Sequence, residues 1–325
     1  MASITSLAVA AAETTATPRP HLQHLQERAL AKGPITVAVA YPCDAGSLQA
    51  AMQAADTGLI KPLLVGPQER IQAAAKAARL DLSGAEIHDT ADDARAASAQ
   101  AAALCRDGLA SALMKGSLHS DDLLGAAVAR EAGLRGNCRA SHVFVMDIPG
   151  YDRPLLMTDC VVNIFPTLMD KRDIAQNAVN LAHAIGIDRP RVAVLSAVET
   201  VNPAIPGTID AAALCKMADR GQIMGGIFDG PLAYDNAISL HSAHNKGIVS
   251  DVAGRPDVLL VPSLEAGNMI YKQLVYMANA ECAGLVLGMR VPIVLTSRSD
   301  SVASRIASCA LAVLASPASR ADKDS

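Results

Sequence analysis

Residues 292–315, PIVLTSRSDSVASRIASCALAVLA, run from a strand pattern directly into Ser297-Arg298-Ser299-Asp300-Ser301 and then into a helical pattern. The first N–H groups of a helix lack intrahelical partners and sit at the positive end of its dipole, so this junction has the chemistry of an anion cradle. The hydroxyls of Ser297, Ser299 and Ser301 and the guanidinium of Arg298 would complete a phosphate site. The same residues also suit simple capping by Ser299 or Asp300. A second junction, LMKGSLHSDDLL, ends a strand at Lys115-Gly116 and starts a helix near Ser120-Asp121. Gly116 permits close backbone approach, and Lys115 and His119 would point into the crevice at the carboxyl ends of the strands. The bland alternative is a solvated lysine and a capping histidine.

Two further stretches carry polar residues at suggestive spacing. In GGIFDGPLAYDNAIS, Asp229 and Asp235 flank Gly230-Pro231 and either orient a substrate or cap a loop. In EAGNMIYKQLVYMANAECAGLVLG, Asn268 and Lys272 stand four apart on one helical face, for binding or merely for solvation. Weaker candidates are Asp159 and Asn163 in TDCVVNIFPTLMD, and Arg139, Ser141 and His142 in RASHVFVM. The histidine stretches HLQH, HSAH and GSLH pair with no carboxylates in a ligand pattern, so no metal site is expected. Neither GxxxxGK[ST] nor a GxGxxG after a strand is present, which leaves the P-loop and dinucleotide-binding readings without support.

These residues sit in a chain of 325, room for about two domains at roughly 150 residues each. An apolar fraction of 51% with 18% charged residues indicates a folded, soluble chain. Aromatic content of 2% and a formal charge of −4 argue against a base-stacking or basic nucleic-acid surface and against an anionic membrane as partner. The seven cysteines are scattered without a CxxC, the pattern of reduced core thiols in a cytoplasm. Residues 1–19 are Ala/Thr-rich, lack a basic start, and read as a flexible leader; no run is long enough to span a bilayer.

From about residue 20 short β-branched runs alternate with helical patterns, as in α/β layers around a mostly parallel sheet. Strands are expected at 35–41, PLLVG, AEIHD, LASALMKG, SHVFVMDI, RPLLMTDC, RVAVLSAV, DVLLVPS, AGLVLG and PIVLTS. Helices are expected between them, with one near 168–186, one near 267–279 and a last at about 300–316. The turn cluster PGYDR at 149–153 marks a domain boundary.

Taken together, KGSLHSDDLL, TDCVVNIFPT, PRVAVLSAVE, GIFDGPLAYDNAIS, EAGNMIYKQLVYMANAECAGLVLG and VLTSRSDS, in this order over about residues 35–318, resemble the phosphate acetyltransferase/phosphate butyryltransferase family. The resemblance implies an isocitrate/isopropylmalate dehydrogenase-like fold of two α/β/α domains with mostly parallel sheets and a cleft between them. The first would be 20–149 plus 298–325, with 150–297 inserted as the second. It also implies a homodimer and a reaction, acyl-CoA plus phosphate to acyl phosphate plus free CoA. Coenzyme A is then a co-substrate, and there is no bound cofactor and no metal. On the family pattern Ser297 would bond the sulfur or carbonyl, and Arg298 the phosphoryl oxygens. Lys115, Gly116, His119, Ser120 and Ser299 would form the phosphate side, with Arg139, Asn163, Asp229, Asp235, Asn268, Lys272 and Tyr276 toward CoA. Two positions depart from the acetyl-specific pattern: Ser304 stands where those members carry an Asp read as general base, and Tyr276 where they carry an Arg. Asp300 is the nearest remaining carboxylate, and both departures pull toward the butyryl branch. Direct attack in a ternary complex is expected, because no Ser-His-Asp or Cys-His arrangement is evident. The competing readings are a metal- and NAD-dependent β-decarboxylating dehydrogenase of the same fold, and a non-catalytic CoA/phosphate-binding domain.

Overall fold

The computed structural model describes residues 19–295 and 300–316. The leader expected over 1–19 therefore lies, but for Arg19, outside the described residues, as do Ser297, Arg298 and Ser299. In chain order the elements are α1 (Pro20–Lys32), β1 (Ile35–Ala40), α2 (Ala45–Asp56), β2 (Ile60–Gly66), α3 (Gln68–Ala78), β3 (Glu86–Asp89), α4 (Ala94–Arg106), β4 (Ala112–Lys115), α5 (Ser120–Val128), β5 (Ser141–Asp147) and β6 (Leu155–Thr158). They continue with α6 (Leu168–Ala184), β7 (Arg191–Leu195), α7 (Pro206–Asp219), β8 (Ile227–Leu232), α8 (Tyr234–Ile238), α9 (Leu240–Asn245), β9 (Val258–Leu260), α10 (Leu264–Met277), β10 (Glu281–Leu287), β11 (Ile293–Val294) and α11 (Val302–Ala315).

Local chemistry accounts for five of the helix starts. Asp44, Asp93, Ser263 and Ser301 each accept an N–H of the first turn they precede, and Thr167 with Asp170 closes a capping box on α6. The Ser263 cap starts α10 at Leu264, three residues before the helix expected at 267. The Gly-rich stretch at 225–239 holds strand β8 and the short helix α8, which strand and helix periodicity did not reveal because glycines and a proline interrupt both patterns.

The strands form one eleven-stranded sheet in the order β3-β2-β1-β4-β11-β10-β5-β6-β9-β7-β8. Two parallel blocks, β3-β2-β1-β4-β11 and β6-β9-β7-β8, are joined through β10 and β5, which pair antiparallel with each other and with their outer neighbours. One face is covered by α1, α2, α3, α6, α7 and α11, whose aliphatic side chains join Val37, Val39, Val143, Val145 and Leu285 in a continuous core. On the other face α4 and α5 cover Leu113, Val286 and Ile293, while α8, α9 and α10 cover Met146, Met157 and Leu259. These two covers are separate. The uncovered strip between them, floored by β5, is where the polar junctions open.

Candidate active site

β4 and β11 are parallel neighbours, with Ile293 opposite Leu113 and Val294 opposite Met114, so the two chain junctions singled out above leave the sheet side by side. Between the two helical covers lies a cleft of about 530 Å3 lined by Lys115, Leu118, His119, Ser120, His142, Phe144, Val161, Asn268, Tyr271, Lys272, Tyr276, Leu295 and Asp300. Seven candidate residues far apart in sequence, Lys115, His119, Ser120, Asn268, Lys272, Tyr276 and Asp300, thus face one gap. Leu295 and Asp300, which flank the undescribed 296–299 segment in the chain, both line it.

The Lys115 turn is built by backbone contact. Gly116 N donates to Ala40 O at 2.9 Å, Ser117 N donates to Tyr41 O at 2.9 Å, and Ser117 Oγ donates to the same oxygen at 2.8 Å while accepting from Cys43 N at 2.8 Å. A Cβ on Gly116 would stand 2.3 Å from Ala40 O and 2.6 Å from Tyr41 O, so only glycine fits. Gly116 supports the cleft wall without lining it. Lys115 is 8% exposed and its Nζ donates to Leu118 O at 3.2 Å, holding a cation at the wall. His119 occupies the N-cap position of α5 without a side-chain cap bond, so its imidazole is not spent on the helix.

The opposite wall is α10. Asn268 Nδ2 donates to Cys160 O at 3.3 Å, Lys272 is exposed, and Tyr271 stacks on Phe144 with ring centres 4.1 Å apart and planes 4° from parallel. Burial raises the Tyr271 phenol above its usual range and pushes the Cys282 thiol behind it up to about 12, so neither ionises near neutrality. His142 stands on the cleft floor, 1% exposed, with its ring edge against Phe144 at 4.3 Å.

Burial pushes the His142 imidazole down to about 4, with the Asp159 carboxylate acting in the opposite direction; Lys115, Lys272 and Asp300 line the same cleft. The ring is therefore neutral in the folded protein at pH 7. An unfolded chain titrates this group near 6.5 and binds more protons between about pH 6.5 and 4, so its contribution to stability is complete above that window and is lost as pH falls through it. Melting temperatures measured at about pH 7 and about pH 4.5 are expected to fall less in His142→Phe than in the unmodified protein. Equal falls would contradict the burial argument.

Four expected binding residues are placed elsewhere, and each has other work. Arg139 Nε donates to Asn163 Oδ1 at 2.8 Å and its NH1 lies 3.4 Å from Asp170. Asn163 Nδ2 donates to Asp159 at 2.6 Å and to Ala140 O at 2.9 Å, and Asp159 also accepts from the N–H groups of Val161, Val162 and Asn163. This network holds the turn that carries Val161 into the cleft. Asp229 accepts from Gly230 N on β8, the last strand of the sheet, with β9 and β7 between it and β6. Asp235 accepts from Ser242 Oγ at 2.6 Å and pairs with Lys246, bonds that hold its carboxyl below the usual range. None of these four lines the cleft. Ser304, at the position of the family's expected base, donates to Glu281 at 2.9 Å and helps build the start of α11; Ser301 also donates to that carboxylate.

In sequence His142 stands among the weak candidates, and nothing singles out Phe144, Tyr271, Leu118, Val161 or Leu295 for the cleft. For His142 and Phe144 the signal is period-2 alternation in SHVFVMD, which puts them on one face with Met146 but does not say that this face is uncovered.

With this geometry in hand, comparison with known proteins decides the family. The family model described as phosphate acetyl/butaryl transferase matches residues 91–313. The chain belongs to the phosphate acetyl/butyryl transferase family. It is an acyltransferase by that membership. A phosphate acetyltransferase of Rhizobium meliloti is 56% identical over 88% of this chain and 90% of its own length. A phosphate butyryltransferase of Clostridium beijerinckii is 44% identical over 86% of this chain and 92% of its own. Among solved structures, a branched-chain phosphotransacylase from Enterococcus faecalis V583 is 29% identical with a TM-score of 0.76, covering 86% of this chain and 98% of that one. A 4-hydroxythreonine-4-phosphate dehydrogenase from Klebsiella pneumoniae, 13% identical with a TM-score of 0.53 over 87% of this chain and 99% of its own, shares the fold alone. The family match favours neither the dehydrogenase reading nor the non-catalytic one.

Proposed function

We propose that this protein reversibly transfers a short acyl group between coenzyme A and inorganic phosphate by direct attack in a ternary complex. A phosphate oxygen bonds to the thioester carbon, the C–S bond breaks, and the proton held by phosphate ends on sulfur. The observation that carries this reading is the single cleft joining the Lys115 turn to the polar edge of α10, with Leu118, Val161, Phe144 and Leu295 supplying an apolar wall for the acyl group. Lys115, His119 and Ser120 hold phosphate on the shelf that Gly116 makes possible, together with Arg298 and Ser299; Ser297 bonds the sulfur or the carbonyl. Asn268, Lys272 and Tyr276 face CoA. Fixing both reactants at about 3–3.5 Å removes most of the entropic barrier to their encounter.

The test is thiol release from acetyl-, propionyl- and butyryl-CoA. Thiol is expected only when phosphate is added, and its absence with every acyl-CoA would overturn the reading. A phosphate-independent burst would instead replace direct attack by an acyl-enzyme. The rates on the three substrates settle acyl preference, on which relatives bearing both names are silent. Asp300, on the cleft wall, is assigned as general base. Asp300→Asn is expected to lower kcat about a hundredfold or more with CoA binding unchanged, the low end for loss of a proton acceptor. An unchanged kcat removes Asp300 from the mechanism.

We further place the protein in the cytoplasm as a homodimer, with 20–149 plus 298–325 as one α/β unit and 150–297 as the other. Packing of α11 against α1 and α2 supports joining 298–325 to 20–149, while β11, assigned to the other unit, pairs with β4 of the first. The cysteines at 43, 105, 138, 160, 215, 282 and 309 are free thiols, as a reducing compartment requires, and no helix among the described residues is long and apolar enough to cross a membrane. Exposed Ile164, Phe165, Met269 and Met277 are the apolar side chains we assign to contact with a second copy. Light scattering should return twice the chain mass of 33.6 kDa.

A further inference from the structure

His142 combines two properties that packing does not explain. It is 1% exposed, and its Nδ1 is buried with no hydrogen-bond partner among the described residues. Buried polar atoms are paired almost without exception, and a phenylalanine would fill this space without leaving one unpaired. Its surroundings are otherwise satisfied: Thr158 Oγ1 donates to the His142 carbonyl at 2.8 Å, and Asn163 and Asp159 bond each other.

The ring is nonetheless held firmly. Across the strand pair, β10 presents Gly284, where a Cβ would come within 2.6 Å of His142 Cε1 and 2.7 Å of Nε2; the glycine makes the room the imidazole occupies. Phe144 closes the other side, itself stacked on Tyr271 of α10. A polar ring thus lines the floor of the cleft between the Lys115 turn and α10, and no described residue pairs its Nδ1.

We propose that His142 is a catalytic residue whose neutral imidazole donates an N–H hydrogen bond to the carbonyl oxygen of the acyl group. The proposal rests on the cleft being the acyl-transfer site. A neutral imidazole carries one donor and one acceptor, and a donor already in place at a dry wall stabilises the oxyanion without reorganisation. No bond to His142 forms. The ring keeps its proton while the phosphate oxygen adds to the carbonyl carbon and the C–S bond breaks. The alkyl tail is then left facing Leu118, Phe144 and Val161, which also line the cleft.

His142→Phe retains ring volume and removes the donor. It is expected to lower kcat about a hundredfold, the usual consequence of losing one oxyanion donor, with KM for phosphate changed less than about threefold. His142→Gln, which keeps an N–H, is expected to regain about tenfold of that loss. A kcat within about twofold of the unmodified enzyme in a folded His142→Phe variant overturns the proposal. Should the variants fail to fold, the unmodified protein decides. On binding a ketone analogue of acyl-CoA, with a methylene in place of sulfur, one histidine ring N–H resonance is expected to move downfield, and no movement overturns the proposal. Lys115→Met, assayed in parallel, separates the two levels. If it also leaves turnover intact, the cleft is not the reaction site. If it abolishes turnover while His142→Phe does not, only the role of His142 fails.

Discussion

Gly116→Ala is expected to lower turnover by about a hundredfold or more while the protein still folds with reduced stability. The added methyl would stand 2.3 Å from Ala40 O and 2.6 Å from Tyr41 O, both backbone atoms at the end of β1, which cannot move aside as a flexible side chain can. Relief requires the Lys115–Ser117 turn to retreat by about 1 Å, enough to cost about 10²-fold when reacting groups must be held in line. The retreat also weakens the bonds from Gly116 N to Ala40 O and from Ser117 N to Tyr41 O. With the overpacking, stability should fall by about 1–3 kcal/mol. Steady-state kinetics with thermal melting checks both parts, and wild-type turnover would mean that the turn does not position phosphate.

Arg298→Ala is expected to reduce kcat/KM for phosphate by about 10- to 100-fold, from the loss of one charge-assisted bond worth about 1.5–3 kcal/mol. Arg298 lies outside the described residues, so this expectation rests on its chain neighbours Leu295 and Asp300, which line the cleft, and on the chemistry of its guanidinium. Arg298→Lys should fall between the two, because a lysine keeps the charge and loses the planar fork that matches phosphate oxygens. Melting temperature should be unchanged in both variants. A kcat/KM for phosphate equal to that of the unmodified enzyme would place the anion elsewhere.

The helix start at Asp44 could be read because a cap depends on residues two or three positions away, whereas the last helix is capped by Ser301, past the expected Ser299 or Asp300. The Lys115 turn and the start of α11 were visible as polar junctions for the same reason. Asp229 and Asp235 look equally promising as sequence, and Arg139 with Asn163 nearly so, yet β8 ends the sheet and the Asp159 turn absorbs the other pair. His142 reads as one polar residue in a strand. Only the separation of the α4–α5 and α8–α10 covers opens its face to a ligand.

Residues that are neighbours along the chain set the element types outside 225–245, the anion-binding character of two strand-to-helix junctions, and the family resemblance. Pairing across the whole sheet brings the junctions to one gap: β11 pairs beside β4 although about 180 residues separate them, and β5 becomes the floor between two helical covers. Strand order is set by burial and backbone pairing summed over the whole sheet. No local pattern carries that sum.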